Sequence, residues 1–247
     1  MGNVPRALTD ITVCYRVKIF YYRPEVTVFS YINENGDKIR TDHNRLGVQV
    51  LVKVTGLRLI TSVVTPLMQW SAFCVSLTLG EPITMYFNGN RIEAQSGIPP
   101  YAAESDKKKG AGGRCNPGRS GGPVGPTTGA QGEDDGTHSS YGSTNSTATE
   151  RDRVVLMDTD GSIVLGQDQD APADVYDASQ SLSGAVTDLN VWSRRLGGDE
   201  MASISGCFLR GRGDILNWET ANFEIGQDSS LVCYCFDQFI TLIERQT

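Results

Sequence analysis

Oxygen-bearing side chains follow one strand-like run of this sequence, and they are the residues best suited to chemistry. Residues 154 to 193 contain seven aspartates and no Lys or Arg. Asp168, Gln169 and Asp170 follow the apolar run "SIVLG" after one intervening residue, Gln167. Ca²⁺ takes about six to eight oxygen ligands from carboxylates, amides and backbone carbonyls. Because a turn after the strand can aim two carboxylates and a carbonyl at one point, this spacing is compatible with a calcium site.

Two further oxygen donors follow a short distance along the chain. Asp177 and Gln180 lie three positions apart, so one helical or turn-like segment can direct both toward the same point. Without a cation the aspartates repel each other, and a divalent ion would remove that repulsion. The alternative interpretation is a solvated acidic turn that holds no metal.

Two short motifs have weaker claims to function. Ser120 lies in "GRSGGP", which satisfies G-x-S-x-G, but Gly and Pro flank it where a nucleophile needs a rigid turn between a strand and a helix. We therefore predict no catalytic residue and a protein that is not an enzyme. The tripeptide "RGD" at 212–214 could mediate adhesion, but three-residue matches are frequent by chance, and we interpret it as a loop leading into "ILNW".

Composition and charge exclude several classes of protein. The chain has 247 residues, 39% of them hydrophobic and 21% charged, which suits a globular domain. A net charge of −7 argues against electrostatic binding of this protein to nucleic acid or to a membrane surface. No run reaches the roughly 18 uncharged apolar residues of a membrane span. The N-terminal sequence lacks the apolar core of a signal peptide, so we expect a cytosolic protein or an incomplete chain.

The cysteines and one sequon bear on the cellular compartment. The chain has six cysteines and no C-x-x-C pair, which argues against a structural zinc site. An even number is compatible with disulfides, and buried free thiols are the alternative. Asn145 in "NST" is a predicted glycosylation acceptor and gives weak support for secretion. Taken alone, these features leave the compartment open.

The elements that position the acidic residues are predicted to be short strands. The runs rich in Val, Ile, Thr and aromatic residues are "ITVCYRVKIF", "VTVFSYI", "GVQVLVKV", "LRLITSVVT", "FCVSLTL", "ITMYF", "RVVLMD", "SIVLG" and "GAVTDLNVW". "NGN" after "ITMYF" indicates a hairpin turn. One short helix is predicted at "GGDEMASIS". Many strands and a single helix predict an antiparallel sandwich or jelly roll, with Trp70, Trp192 and Trp218 anchoring the core.

One segment has a different composition from the rest of the chain. Eleven of the 27 glycines lie between 101 and 150, where large apolar side chains are almost absent. Such a chain cannot bury enough apolar surface to offset its ordering entropy. We predict that 101–153 is a Gly/Ser-rich flexible insertion. Residues 1–100 and 154–247 then form one domain together.

The stretches "GSIVLGQDQD", "DASQSLSG", "VTDLNVWSRRL" and "DILNWETANFEI" resemble the pentraxin family, as do "TVFSYI" and "MYFNGN". The resemblance covers nearly the whole chain outside the insertion, and the family's first strand has no counterpart. It implies an all-β, two-sheet antiparallel jelly-roll sandwich of the concanavalin A/laminin G type with one short helix. It also implies a disulfide between Cys14 and Cys74. Ala72 and Leu77 depart from the family pattern, which usually has His and Trp at those places.

The resemblance further implies a ligand set for two Ca²⁺ ions. The residues that would hold them are Asp37, Asp168, Gln169, Asp170, Asp177 and Gln180. Asp168, Asp170 and Asp177 would supply carboxylates, Gln169 its backbone carbonyl and Gln180 its side-chain oxygen. Lys38 occupies a place where the family has an Asn ligand, and a cation is a poor replacement for an amide oxygen.

The function implied by the resemblance is calcium-dependent, lectin-like binding. The ligands would be phosphocholine- or phosphoethanolamine-type head groups or carbohydrates, with no nucleic acid and no membrane insertion. The protein would be secreted or extracellular, act in innate pattern recognition and assemble as a cyclic homo-oligomer. The alternative is a metal-free adhesion or structural ectodomain module of a larger receptor or secreted protein.

Overall fold

A computed structural model describes residues 4–96, 154–169 and 178–224, together with the backbone of 229–233 and 238–242. All of these residues lie in one unit, Met1–Gly97 with Val154–Thr247. The predicted insertion at 101–153, which contains Ser120 and Asn145, lies outside the described residues. Within the described ranges, no helix is long and apolar enough to cross a membrane.

The described chain folds into strands and one α-helix, α1 (Gly198–Ser205). The strands are β1 Asp10–Tyr21, β2 Thr27–Ile32, β3 Lys38–Asn44, β4 Gly47–Val52, β5 Leu57–Thr61, β6 Trp70–Thr78, β7 Thr84–Phe87, β8 Asn90–Ile92, β9 Ala94–Ser96, β10 Ser162–Leu165, β11 Ser183–Trp192, β12 Leu216–Asn217, β13 Ser229–Cys233 and β14 Gln238–Leu242. Short 3₁₀ turns lie at Lys53–Thr55 and Ala178–Gln180.

The strands pair into two antiparallel sheets. One sheet has the order β13-β14-β11-β1-β6-β7-β8, with β12 beside β11, and the other has the order β10-β2-β3-β4-β5-β9. Apolar side chains from both sheets form one buried cluster, for example Val17 and Phe73 from the first and Ile39 and Val50 from the second. Burying these faces against each other drives the assembly of the sandwich. The predicted all-β jelly-roll sandwich with a short helix is confirmed.

The predicted hairpin turn is also confirmed. β7 and β8 pair with Phe87 opposite Asn90, which leaves Asn88 and Gly89 as a two-residue loop. Both loop residues have positive φ, 47° and 82°. A turn of this kind matches the twist of the two strands, and Asn-Gly tolerates its left-handed backbone better than other pairs.

Helix α1 and the disulfide share one face of the eight-stranded sheet. Cys14 of β1 lies opposite Cys74 of β6, and the two form a disulfide with a Cα–Cα distance of 4.1 Å. Trp192 and Met201 pack against this disulfide in a second apolar cluster. The predicted disulfide is therefore confirmed, and it joins two neighbouring strands beneath the helix.

Two local predictions are wrong. "RVVLMD" is not a strand: Met157 makes only an isolated bridge with Leu8, and Val154 is exposed. Trp192 and Trp218 are buried as predicted, but Trp70 is 40% exposed. Trp70 is the first residue of β6 and lies at the end of the strand, where the sheet no longer covers its side chain.

Candidate functional site

Strand β3, "KIRTDHN", directs alternate side chains to the two faces of the six-stranded sheet. Thr41 and His43 point into the sandwich, where both meet the hydroxyl group of Tyr15 at 2.8 Å. Lys38 and Arg40 point to the opposite, outer face because strand side chains alternate. All seven residues of this strand are buried. A buried outer face means that other parts of the chain cover it.

The cover includes the two described ends of the acidic segment, which we define as residues 166–182. These ends are 166–169 and 178–182. At their base the amide of Leu182 donates to the carbonyl of Gly166 at 2.8 Å, and the amide of Gly166 donates to the carbonyl of Val28 at 2.9 Å. Strand β2 therefore holds both ends of the acidic segment beside strand β3.

Asp168 contacts two cationic side chains of strand β3. Lys38 Nζ donates to Asp168 Oδ1 at 2.8 Å, and Arg40 Nη1 donates to Asp168 Oδ2. The backbone amide of Gln169 also donates to Asp168 Oδ1, at 2.9 Å. Asp168, Lys38 and Arg40 are 5%, 8% and 7% exposed. The carboxylate is thus buried and has a charged donor on each of its oxygens.

Arg40 is the centre of a wider network of charges. Its Nη2 lies 3.3 Å from Glu25 Oε2, and its Nε lies 2.9 Å from Asp42 Oδ2 at an angle that makes no hydrogen bond. Asp42 Oδ1 accepts from the hydroxyl of Thr27 at 2.8 Å. Three carboxylates therefore surround two buried cations. Pairing of this kind is what allows such charges to be buried.

The far end of the acidic segment joins the same network. Gln180 Nε2 donates to Glu25 Oε2 at 3.2 Å. Arg23 Nη1 donates to the hydroxyl of Ser181 at 2.6 Å. Arg23 and Glu25, which lie just before β2, therefore bond to the end of the acidic segment. Glu25 also connects this end of the segment to Arg40.

Burial and charge shift the pKa values of this network in opposite directions. Burial raises the pKa of Asp42 to about 6, although Arg40 works against the rise. Burial alone would lower the pKa of Arg40, but Asp42, Asp168 and Glu25 together raise it above its usual value. Inside the sandwich, burial lowers the pKa of His43 to about 3. At neutral pH His43 is therefore uncharged, whereas Arg40 remains a cation.

Comparison with known proteins finds similarity to one family over part of the chain. Residues 142–232 match the model of the Pentaxin (pentraxin) family. A C-reactive protein 1.4 from Limulus polyphemus is 34% identical over 74 residues, which is 28% of this chain and 31% of that protein. The pentraxin family-model domain of this chain therefore lies at residues 142–232. The pentraxin resemblance predicted from the sequence is confirmed.

Two further similarities fit the pentraxin domain. Neuronal pentraxin-2 from Cavia porcellus is 34% identical over 65 residues, 26% of this chain and 15% of that protein. The crystal structure of a native heptameric SAP-like pentraxin from Limulus polyphemus aligns with a TM-score of 0.58 at 16% identity, covering 96% of this chain and 85% of that one. The structural likeness shows the shared fold. The matches span a third or less of both curated relatives, so activity, ligands and partners are proposals.

The structure describes only some of the predicted calcium ligands. Asp170 and Asp177 lie outside the described residues. Gln169 is buried, and its side chain accepts from the hydroxyl of Ser162 at 2.9 Å. Asp37 closes a turn with Asn33: the Asp37 amide donates to Asn33 Oδ1 at 2.8 Å, and Asn33 Nδ2 donates to Asp37 Oδ2 at 3.3 Å. The side chains of Asp37, Gln169 and Gln180 thus have protein partners of their own.

The described residues do not fit a calcium ion at Asp168. Calcium would need the oxygens of that carboxylate at about 2.3–2.6 Å, and Lys38 and Arg40 already donate to both of them. Within the described ranges, no group of three or more His, Cys, Asp or Glu side chains is placed to hold a metal. Whether Asp170 and Asp177 bind calcium stays a prediction.

The site contains residues that the sequence prediction missed. Arg40 and Asp42 were not predicted to take part, although they share a strand face with Lys38. A signal was available: charges recur at every second position of "KIRTD", which is the period of one face of a strand. Charged residues in a predicted strand on a sheet's outer face indicate a partner segment that covers them.

The "RGD" sequence is a structural loop, as the sequence interpretation expected. Asp214 accepts from both the amide and the hydroxyl of Ser193, the amide at 2.9 Å. Although partial burial opposes the change, these hydrogen bonds lower the pKa of Asp214. Arg212 lies 3.6 Å from Glu219. The carboxylate that an adhesion receptor would need is already bonded within the fold.

Proposed function

We propose that this chain is an extracellular, lectin-like recognition module that binds phosphorylated head groups or glycans and catalyses no reaction. The observation that carries the proposal is the pentraxin-family match of residues 142–232, which includes the acidic segment beside strand β3. We assign binding rather than catalysis because, among the described residues, the buried charged groups are paired with one another. The described histidine, His43, lies inside the sandwich.

The fixed ends of the acidic segment support a binding role. At the base of the segment, Gly166 bonds to strand β2 and to Leu182. Where the segment returns to the sheet, Arg23 bonds to Ser181 and Glu25 bonds to Gln180. Anchoring of the described ends, 166–169 and 178–182, reduces the conformational entropy that those residues would lose on binding a ligand. Binding sites commonly lie on loops that a rigid scaffold positions.

The sequence predicted that two calcium ions mediate this recognition. We retain that prediction only for the part of the segment that includes Asp170 and Asp177. Asp168 does not fit a metal, so we do not assign it a role in holding one. The proposed ligand-binding role is independent of which of these residues contacts an ion.

A second candidate function is a metal-free adhesion or structural module of a larger protein. The specific observation that favours it is the buried ion pair between Lys38 and Asp168, at a position where the pentraxin resemblance implies a metal ligand. In that case the fold is kept and the recognition site is lost. The two candidates differ in whether the purified domain binds any small ligand.

We also propose that the module acts as a cyclic homo-oligomer. Support comes from the heptameric Limulus polyphemus pentraxin that shares the fold. Repeated sites on a ring convert weak single contacts into avidity. Analytical ultracentrifugation of the purified domain tests this: a discrete oligomer supports the ring, and a monomer at all concentrations contradicts it.

The binding proposal is tested with an array of phosphocholine, phosphoethanolamine and glycans, probed in excess calcium and in excess chelator. Binding in either condition supports the recognition module, and binding that chelator abolishes also supports calcium dependence. Absence of binding in both conditions contradicts the proposal and favours the adhesion or structural module. The oligomeric state is measured on the same sample, because a monomer could lose avidity and yield a false negative.

A further inference from the structure

We propose that the Lys38 ammonium and the Arg40 guanidinium replace a calcium ion at Asp168, so that this end of the acidic segment is held in place without metal. The inference goes beyond the proposed recognition function and does not depend on which ligand the domain binds. It concerns only described residues: Asp168, the strand β3 cations and their partners.

Both oxygens of the Asp168 carboxylate already accept hydrogen bonds. Oδ1 accepts from Lys38 Nζ at 2.8 Å and from the amide of Gln169 at 2.9 Å, and Oδ2 accepts from Arg40. A carboxylate that ligates calcium needs an oxygen lone pair open toward the ion. Here each oxygen is directed at a cationic nitrogen. The carboxylate side chain is 3% exposed, so there is little room for an ion to approach from solvent.

The positive charge of Lys38 also opposes calcium binding at Asp168. An ammonium within hydrogen-bonding distance of the carboxylate repels a divalent cation bound to that same carboxylate, and low polarity around the pair strengthens the repulsion. Calcium could enter only if Lys38 moved away. The Lys38 side chain is 9% exposed in its ion pair, so leaving it would cost a buried contact.

Three carboxylates hold the Arg40 guanidinium in place. Asp42, Glu25 and Asp168 all lie within ion-pair distance of its guanidinium. Arg40 therefore cannot swing aside to admit a metal without leaving two other buried carboxylates. The planar guanidinium is suited to this role because it presents several donors in one rigid fork.

Arg40 connects the two described ends of the acidic segment, directly at its start and through Glu25 at its end. Lys38 and Arg40 hold Asp168 at its start, and Arg40 contacts Glu25, which accepts from Gln180 at its end. A bridging calcium ion would be expected to draw together the two ends of an acidic segment. Here side-chain cations perform that task, and they require no supply of metal.

The test compares wild type with Lys38→Asn, which removes the cation and supplies an amide oxygen. Lys53→Asn, on an exposed lysine outside the network, is the matched control. Two quantities are measured in chelator and in about 10 mM calcium, above the roughly 0.1–1 mM dissociation constants of extracellular calcium modules. They are the thermal midpoint and the hydrogen-exchange protection of the Gln169 and Leu182 amides.

We expect the wild type and Lys53→Asn to protect both amides equally in chelator and in calcium. Lys38→Asn should lose protection at Gln169 in chelator, regain it in calcium, and bind calcium at least about tenfold more tightly than wild type by calorimetry. Equal protection in the wild type supports the proposal even if Lys38→Asn does not fold, because that comparison needs no variant.

The proposal is overturned if wild-type protection at Gln169 is lost in chelator and restored by calcium. It is also overturned if a folded Lys38→Asn binds calcium no better than wild type. Neither outcome involves a head group or a glycan. Failure of this inference is therefore distinct from failure of the recognition function, which the ligand array tests.

Discussion

Lys38 and Asp168 lie 130 positions apart in the sequence and form a buried ion pair of 2.8 Å. One residue begins strand β3, and the other belongs to the start of the acidic segment. The pair fixes which face of β3 points outward, because shifting the strand by one position would move Lys38 to the apolar interior. The acidic segment and strand β3 therefore depend on each other.

Asp168→Asn is expected to destabilise the domain by about 3 kcal/mol. The substitution keeps the size of the side chain but leaves Lys38 and Arg40 buried with less compensating charge. Urea unfolding at neutral pH measures the effect. Asp160→Asn, on an exposed aspartate of the turn before β10, is the control and should stay within about 0.5 kcal/mol of wild type. Equal stability of the two variants would show that the buried pair contributes nothing.

His43 is expected to make the domain less stable in acid. Its pKa of about 3 in the folded protein lies below its ordinary value of 6.5, so the stability that neutral His43 contributes is present above pH 6.5 and is lost as the pH falls toward 3. His43→Gln removes this titration. The stability advantage of wild type over His43→Gln should shrink by at most about 1.4 kcal/mol per pH unit below pH 6.5.

The measurement is denaturant unfolding of both proteins at a series of pH values. Asp42 contributes with the opposite sign: its pKa is raised to about 6, so the stability linked to its protonation is lost as the pH rises through that value. That contribution is common to wild type and His43→Gln and cancels in their difference. Parallel pH profiles for the two proteins would contradict the assignment of a buried neutral imidazole.

Removal of the Cys14–Cys74 disulfide is expected to cost about 4 kcal/mol, because the bond closes a loop with a sequence separation of 60 residues. The variant is Cys14→Ala with Cys74→Ala, measured by urea unfolding. Cys207→Ala is the control, since Cys207 is an exposed free thiol and its loss should change stability little. A double variant as stable as the control would contradict the expectation.

Asp214→Asn is expected to destabilise the domain by about 1–2 kcal/mol, because it weakens the two hydrogen bonds that Asp214 accepts from Ser193. Asp214→Glu should leave integrin-dependent cell adhesion to the purified domain unchanged, since the loop serves the fold. Adhesion that disappears in Asp214→Glu, with unfolding behaviour retained, would instead assign a receptor role to "RGD".

Strands rich in apolar residues were predicted from the sequence, whereas the strand rich in charged residues, β3, was not. β1, β2, β6 and β11 were recognised because Val, Ile and aromatic residues dominate them. Strand β3 was missed because its Lys, Arg, Asp and His side chains are rare in buried strands. Its burial comes from tertiary cover by the ends of the acidic segment, and no local pattern reports that cover.

The sequence drew attention to Asp168 and Lys38 separately but did not predict that they contact each other. Asp168 was recognised as a carboxylate of importance, and Lys38 as a departure from the pentraxin ligand pattern. What sequence reasoning did not supply was the direction of each side chain: Lys38 turns onto Asp168, and Arg40 joins it two positions later. Opposite charges 130 positions apart can be paired only once the sheet register is known.

The most direct measurement is a crystal structure of the domain grown in excess calcium. We expect Lys38 Nζ within hydrogen-bonding distance of Asp168 Oδ1, Arg40 on the other oxygen, and no metal density at this carboxylate. A calcium ion bound to Asp168, with Lys38 turned away toward solvent, would contradict it.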